Sequence, residues 1–113
     1  MGDARARWLA EAERYLSDCH AASASVRASE LARRMHVTPT RLAREFHADV
    51  GVRVKDYFTQ RQIERAQDLL RTTARSTADI AAAVGYGTTR SFFRAFRRAT
   101  GMSPSEYRRA LPS

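Results

Sequence analysis

Cysteine and lysine are nearly absent from this chain. Cys19 is the single cysteine among 113 residues, which excludes an internal disulfide framework and a cluster of thiolate metal ligands. No apolar stretch approaches the roughly 20 residues that a membrane-spanning helix requires, so no membrane partner is predicted. Strands are not expected either, because β-branched residues are sparse and no run alternates apolar with polar side chains.

Residues that could bind a metal or drive catalysis are thinly spread. The three histidines, His20, His36 and His47, have no spacing that would bring them together as ligands. No nucleophile motif and no glycine-rich phosphate loop frame a candidate active site. We therefore expect a protein that is not an enzyme and that uses neither a metal nor a cofactor.

What the chain has in excess is arginine. The formal net charge is +8, and 19 of the 20 basic residues are arginine, Lys55 being the exception. The planar guanidinium can bind a phosphate or a guanine edge bidentately, which favours a polyanionic partner, although a genome rich in G and C would also raise the arginine content. The charge is uneven, since residues 1–24 carry a net −1 and residues 86–113 a net +5.

Helical patterns cover most of the sequence, and we predict an all-α fold of about seven helices. The expected helices are Ala4–His20, Ser29–His36, Pro39–Ala48, Val54–Thr72, a helix opened by a capping box at Ser76 and ending near Val84, one capped by Thr88 or Thr89 and ending at Thr100, and a last short helix after the capping box at Ser103. The segment 21–25, rich in alanine and serine, is predicted to be a loop.

The long fourth helix changes its apolar side midway. Tyr57 and Phe58 lie on one side, whereas Ile63 and Leu70 lie well over 100° away around the axis. Such a helix suits a connector between two sub-cores. We therefore divide the chain into an N-terminal subdomain (residues 1–53), a linker helix (54–72) and a C-terminal subdomain (73–113), together one domain.

Two stretches about fifty residues apart follow nearly the same pattern. The first runs from Leu31 to Val52 and the second from Ile80 to Met102, with apolar residues, glycine and one arginine recurring at matching positions. The offset grows from 49 to 50 residues near Gly87. Repetition at this period indicates one supersecondary unit built twice. Each copy is predicted to be a short helix, a tight turn and a second helix, which is a helix-turn-helix.

Helical geometry turns one face of the second helix in each copy outward. Because Leu42 and Phe46 are predicted to point inward, residues on the opposite side of that helix must be exposed. The outward residues are Thr40, Ala43, Arg44 and His47 in the first copy, and Arg90, Phe93, Arg94 and Arg97 in the second. Both faces are basic and short of acids, which fits a helix entering a DNA major groove.

The second copy and its flanking residues contain the runs Asp79–Tyr86, Ser91–Arg98 and Thr100–Arg108. These runs are similar to the signature of the AraC-type transcription regulators. The resemblance extends from about Val26 to Arg109. It implies two helix-turn-helix subdomains joined by a long linker helix, which place two recognition helices, at about 39–48 and 89–100, in successive major grooves of double-stranded promoter DNA. It further implies a cytoplasmic, nucleoid-associated bacterial regulator, with RNA polymerase and an effector or dimerisation domain of a longer parent chain as further partners.

The resemblance completes the set of predicted DNA-binding residues. In such regulators, positions matching Thr40, Ala43, Arg44, Thr89, Arg90 and Arg94 commonly face bases, and amides at helix starts hold phosphates. The full set is Thr38, Thr40, Arg41, Ala43, Arg44, His47, Thr88, Thr89, Arg90, Phe93, Arg94 and Arg97.

Several residues depart from the family pattern. Ala43 stands where a polar base-reading residue is frequent, so the first unit is expected to depend mainly on Arg44. Phe93 either contacts a thymine methyl group or packs against a neighbouring helix. Gln62 and Arg61 occupy a stretch of the linker helix where the family tends to have basic residues. We expect the second unit to bind DNA tightly and the first to make fewer, weaker contacts.

Two alternatives stay open on the sequence alone. A basic helical adaptor that binds an acidic protein surface would have the same charge. The other alternative is a standalone regulator as against the C-terminal piece of a longer one, and the sequence does not distinguish activation from repression of transcription.

Overall fold

A computed structural model describes residues 3–112, and within that range the chain forms seven α-helices and no strand. The helices are α1 (Asp3–Ala22), α2 (Ala28–Arg34), α3 (Pro39–Val50), α4 (Val54–Thr72), α5 (Thr77–Ala83), α6 (Thr89–Thr100) and α7 (Pro104–Ala110). The all-α fold of seven helices is confirmed. None of these helices is long and apolar enough to cross a bilayer, and no three potential metal ligands from residues 3–112 lie together.

Three helix ends differ from the predicted ones. α1 continues to Ala22, because alanine favours the helix, and Ser23 then adopts a positive φ of 51°. α2 ends at Arg34, two residues earlier than predicted, because His36 takes a left-handed conformation with φ 57°. α3 continues through Val50, which is buried, until Gly51 ends it with φ 94°.

The predicted helix starts are confirmed, with one exception in detail. Side-chain oxygens of Thr38, Ser76, Thr88 and Ser103 each accept a hydrogen bond from the backbone N–H three residues later. At Ser103 the carboxylate of Glu106 also accepts from the Ser103 N–H, which completes a capping box. The capping box predicted at Ser76 is wrong, since that serine caps the Asp79 N–H without the reciprocal bond.

The start of α2 is capped from another helix. Arg27 is the N-cap residue and its side chain makes no capping bond. Instead the Tyr15 hydroxyl of α1 accepts from the Arg27 N–H (2.8 Å) and donates to the Glu30 carboxylate (3.2 Å). Since Glu30 is the third residue of the helix, the hydroxyl bridges the two groups that bond directly in an ordinary capping box.

The repeat is reproduced in three dimensions and is longer than the sequence pattern suggested. α2 and α5 have seven residues each, and α3 and α6 have twelve each. Gly87 is the inserted residue, between the turn after α5 and the N-cap Thr88. The match continues into the next helix, where Tyr57 packs on Phe46 (ring centroids 5.7 Å apart) much as Tyr107 packs on Phe96 (5.4 Å).

The buried apolar residues form two clusters, one in each unit. The first cluster joins α1, α2, α3 and the start of α4, and it includes Trp8, Ala12, Tyr15, Cys19, Leu31, Leu42, Phe46 and Phe58. The second joins the remainder of α4 to α5, α6 and α7, and it includes Ile63, Ala66, Leu70, Ile80, Phe92 and Phe96. α4 therefore contributes its two apolar sides to two clusters, as its sequence predicts.

Candidate nucleic-acid interface

α3 presents an exposed polar face opposite its buried residues. Leu42 and Phe46 have no exposed surface, and helical phase turns the other side of α3 to solvent. The predicted residues of this helix are all exposed: Thr38, Thr40, Arg41, Ala43, Arg44 and His47. The face is one helix wide, and a major groove admits a single helix.

α6 presents the matching face of the second unit. Thr88, Thr89, Arg90, Arg94 and Arg97 are exposed. Phe93 is only half-buried, with its ring 6.0 Å from that of Phe92 and in contact with the second cluster. Part of the Phe93 ring thus packs within its own unit, and part faces outward between Arg90 and Arg94.

The two faces differ in how their arginines are paired. On α3, Glu45 lies 2.6 Å from Arg41 Nε and 3.8 Å from a guanidinium nitrogen of Arg44. On α6, Arg97 lies 3.2 Å from Glu106. Among residues 3–112, Arg90 and Arg94 form no ion pair within 4.0 Å. The second face therefore carries two guanidinium groups that are free to bind an anion.

Thr38 and Thr88 are capping residues as well as predicted contacts. Their hydroxyl oxygens accept from the N–H groups of Arg41 (3.1 Å) and Ser91 (3.0 Å). A hydroxyl that accepts in this way keeps its own hydrogen for donation. Both stand at the positive end of a helix dipole. The Thr38 hydroxyl keeps its hydrogen for a phosphate, whereas the Thr88 hydroxyl also shares a hydrogen bond with the Ser91 hydroxyl.

A cleft beside α3 brings together basic residues that the sequence prediction missed. It has a volume of about 1100 Å³ and lies between the start of α2, the outer face of α3 and the first half of α4. Its charged lining residues are Arg27, Arg44, Arg53 and Lys55, with His47 beside them and no carboxylate among the described residues that line it. Arg27 is far from Arg53 and Lys55 in sequence, so only the fold reveals the group.

Gln62 and Arg61 do not extend this basic surface. Gln62 is 8% exposed and its amide donates to the Val84 carbonyl (2.9 Å). Arg61 is exposed and lies 3.6 Å from Glu13 and 3.8 Å from Glu64. In this part of the linker helix, Gln62 is therefore buried and the charge of Arg61 is balanced by two carboxylates.

Two curated regulators are similar to this chain in sequence. The arabinose operon regulatory protein of Escherichia coli strain K12 is 34% identical over 98 residues, which are 87% of this chain and 33% of that protein. The arabinose operon regulatory protein of Salmonella typhimurium strain LT2 is 33% identical over 106 residues, which are 94% of this chain and 36% of that protein. The chain thus spans about a third of the length of these relatives.

Two solved structures have the same arrangement of helices. The C-terminal domain of AraT, a response regulator from Geobacillus stearothermophilus, is 30% identical with a TM-score of 0.78, covering 91% of this chain and 87% of that one. The DNA-binding domain of AdpA, a global transcriptional factor crystallised in complex with a target DNA, has a TM-score of 0.80. It is 24% identical and covers 91% of this chain and 90% of that one, and at this identity it shows the fold.

The family model supplies the last comparison. A model described as a helix-turn-helix domain matches residues 31–110, which contain both copies of the repeat. Together with the regulators above, this match shows that the chain belongs to the AraC-type family of helix-turn-helix domains.

Proposed function

We propose that this chain is the sequence-specific, double-stranded DNA-binding module of a bacterial transcription regulator. α3 and α6 act as its recognition helices and enter successive major grooves on one face of the DNA. The division proposed with it is residues 1–53, 54–72 and 73–113. The observation that carries the proposal is a twelve-residue helix that occurs twice. Each copy is capped by a threonine and exposes arginines on the side opposite its buried residues, which are Leu42 and Phe46 in α3 and Phe92 and Phe96 in α6.

Base contacts are proposed for the exposed faces of both helices. Arg44, Arg90 and Arg94 have the reach and the planar donor set that guanine O6 and N7 require. Thr38, Thr40, Thr88 and Thr89 lie at the starts of the two helices, where hydroxyl and amide donors bind phosphate or base edges. Arg41, Arg97 and His47 add charge next to these groups, while Ala43 and Phe93 offer apolar surface to a thymine methyl.

The experiment is selection of bound sequences from a random DNA pool, followed by footprinting with Arg44→Ala and Arg94→Ala. We expect a two-part motif with its halves one helical turn apart, about 10 bp. Each variant should relax the preference within one half of that motif. If the protein binds no DNA at physiological salt with random DNA as competitor, the alternative hypothesis, a basic adaptor that binds an acidic protein, is favoured instead.

The basic cleft is proposed to hold the phosphate backbone between the two grooves. A rigid protein that enters two successive major grooves faces the intervening backbone, and the proposal assigns Arg27, Arg53 and Lys55, which line the cleft beside α3, to that backbone. Arg53→Ala and Lys55→Ala should each lower the slope of log K against log salt by about 1 without changing the selected sequence. Arg14→Ala is the matched control, since Arg14 is exposed on α1, pairs with Glu11 and does not line the cleft.

Further partners and the location belong to the same proposal. RNA polymerase is proposed as a partner at the promoter, and an effector or dimerisation domain is proposed because the relatives are about three times as long as the matched region. The location is then cytoplasmic and nucleoid-associated. In vitro transcription from a promoter that carries the selected motif tests the polymerase contact, and a change in transcript level with the motif intact is the expected result.

A further inference from the structure

The turn after α5 is buried against the first unit. Ala83, Val84 and Gly85 are all buried, whereas the matching residues of the first unit, Arg34, Met35 and His36, are exposed or half-exposed. The same turn in the same supersecondary unit therefore lies in two different environments. Something outside the second unit covers it.

Three donors cover the three consecutive carbonyl oxygens of this turn. His20 Nδ1 on α1 lies 3.1 Å from the Ala83 oxygen, Gln62 Nε2 on α4 lies 2.9 Å from the Val84 oxygen, and the Val26 backbone N–H lies 3.0 Å from the Gly85 oxygen. A carbonyl only accepts, so Nδ1 of His20 carries the hydrogen. The last carbonyls of a helix have no partner within the helix. Here the first unit and the shared helix supply those partners.

Close packing accompanies these hydrogen bonds. Gly85 has φ 92°, and a Cβ atom there would lie 2.6 Å from Val26 Cγ2 and 3.2 Å from Gln62 Nε2. The glycine thus allows the backbone of the second unit to approach the first more closely than any other residue would. We call the donors His20, Val26 and Gln62 with the acceptors Ala83–Gly85 the inter-unit contact.

We propose that the inter-unit contact, with Gln62 as its buried centre, fixes the distance and angle between α3 and α6, and so fixes the half-site spacing that the protein accepts. The proposal rests on the proposed function, because spacing has meaning only if both helices read DNA. Gln62 is a positioning residue and touches no base. One inserted base pair rotates a half-site by about 35° and moves it about 3.4 Å, so a rigid pair of helices cannot follow it.

The first measurement needs no DNA. Spin labels are placed on Ala48→Cys and Ala99→Cys, which are exposed positions within α3 and α6, and the distribution of distances between them is recorded by pulsed electron spin resonance. Cys19 is buried and is replaced by serine in every protein compared. Gln62→Met keeps the length of the side chain and removes the donor. Gln60→Met, on the exposed side of the same helix, is the matched control.

We expect a narrow distance distribution in the parent and in Gln60→Met, and a broad one in Gln62→Met. An equally narrow distribution in Gln62→Met overturns the proposal. His20→Ala, which removes a different donor at a half-buried position, gives a second measurement of the same kind if Gln62→Met does not fold.

The second measurement uses duplexes that carry the selected motif with one base pair inserted or deleted between its halves. The parent and Gln60→Met should lose about tenfold or more in affinity on such a change, comparable to a mismatched base pair, while Gln62→Met should lose less than about threefold. Equal discrimination in Gln62→Met overturns the proposal, and so does a parent that binds every spacing equally. A parent that binds none of the duplexes overturns the proposed function, whereas the spin-label distances still decide whether Gln62 holds the units together.

Discussion

The two helix-turn-helix units share a backbone, but they hold it in place by different means. In the second unit, serine and threonine caps within the unit start α5, α6 and α7. Of the helices α2, α3 and α4, only α3 starts in this way: the Tyr15 hydroxyl of α1 caps α2, and α4 begins after Arg53 with no side-chain cap. The difference teaches that a repeat conserves the positions of helices while leaving the stabilising contacts and the exposed faces free to change.

The largest expected effect concerns the turn between the two helices of each unit. Both turns contain a left-handed residue, Gly85 in the second unit and His36 in the first. Gly85→Ala should lower the free energy of unfolding by about 3 kcal/mol, because it adds left-handed strain of roughly 1–2 kcal/mol to a contact with Val26 that has no room for a Cβ atom. Urea denaturation monitored by circular dichroism measures the change.

His36→Ala is the matched control for that substitution. It replaces one side chain with another at an exposed left-handed position, so its cost should stay within about 0.5 kcal/mol. Equal costs at the two positions would mean that the burial of the second turn does not constrain it.

A smaller effect is expected when the exposed arginines of the two units are compared. Arg94→Ala should weaken binding of the selected DNA by about 2 kcal/mol and Arg44→Ala by about 1 kcal/mol, within the range of a bidentate base contact. The reason for the order is that Glu45 lies near both Arg41 and Arg44, whereas Arg94 forms no ion pair among the described residues. Fluorescence anisotropy at one fixed salt concentration gives both values.

Glu45→Gln tests whether Glu45 weakens the binding of DNA by the α3 arginines. Removing this carboxylate leaves the α3 arginines free and removes a negative charge beside the phosphates, so affinity should rise. A loss of affinity in Glu45→Gln, or a larger loss in Arg44→Ala than in Arg94→Ala, would contradict the proposed ranking of the two units.

The start of α2 and the start of α5 are stabilised by different caps, and removing either cap should destabilise mainly its own helix. Tyr15→Phe removes the hydroxyl that bridges the Arg27 N–H and the Glu30 carboxylate, and it should lower the free energy of unfolding by about 1 kcal/mol. Ser76→Ala removes an ordinary cap of α5 and should cost about the same. Amide hydrogen exchange separates the two, because Tyr15→Phe should speed exchange in α2 and Ser76→Ala in α5. Faster exchange throughout the chain in both variants would show that the caps are not local.

Local chemistry explains how much of the fold could be predicted from the sequence. Thr38-Pro39 and Ser103-Pro104 start helices through bonds made within four residues, so the sequence shows them directly. The change of apolar side along α4 could also be predicted, because it depends only on the spacing of residues within one helix. The cap that Tyr15 provides for α2 was not, because its partners are 12 and 15 residues away and meet it only after α1 has packed.

The candidate site could be predicted in part, for a related reason. The residues that helical phase alone turned outward on α3 and α6 are exposed, except that Phe93 is large enough to pack partly against the second cluster. The cleft residues Arg27, Arg53 and Lys55 flank the first unit in sequence, and no periodic pattern links them. The burial of Gln62 depends on a turn 22 residues later along the chain, which only the tertiary structure brings to it.

The smallest expected effect is a pH dependence confined to the second unit. The Ser103 backbone N–H, then its hydroxyl, and then Arg97 and Arg109 hold the pKa of the Glu106 carboxyl below its usual range. A carboxyl whose pKa is lowered in the folded state stabilises that state above its ordinary pKa and loses the contribution as the pH falls through the lowered value. The capping box of α7 should therefore weaken in acid, whereas α4, which starts after Arg53, has no such bond to lose.

Nuclear magnetic resonance titration from pH 7 to pH 3 should move the Ser103 amide signal strongly in the parent and little in Glu106→Gln, whose side chain still accepts the bond. A Ser103 amide that moves equally in both proteins would mean that the charge of Glu106 contributes nothing to the start of α7, and that this difference between the units is one of geometry alone.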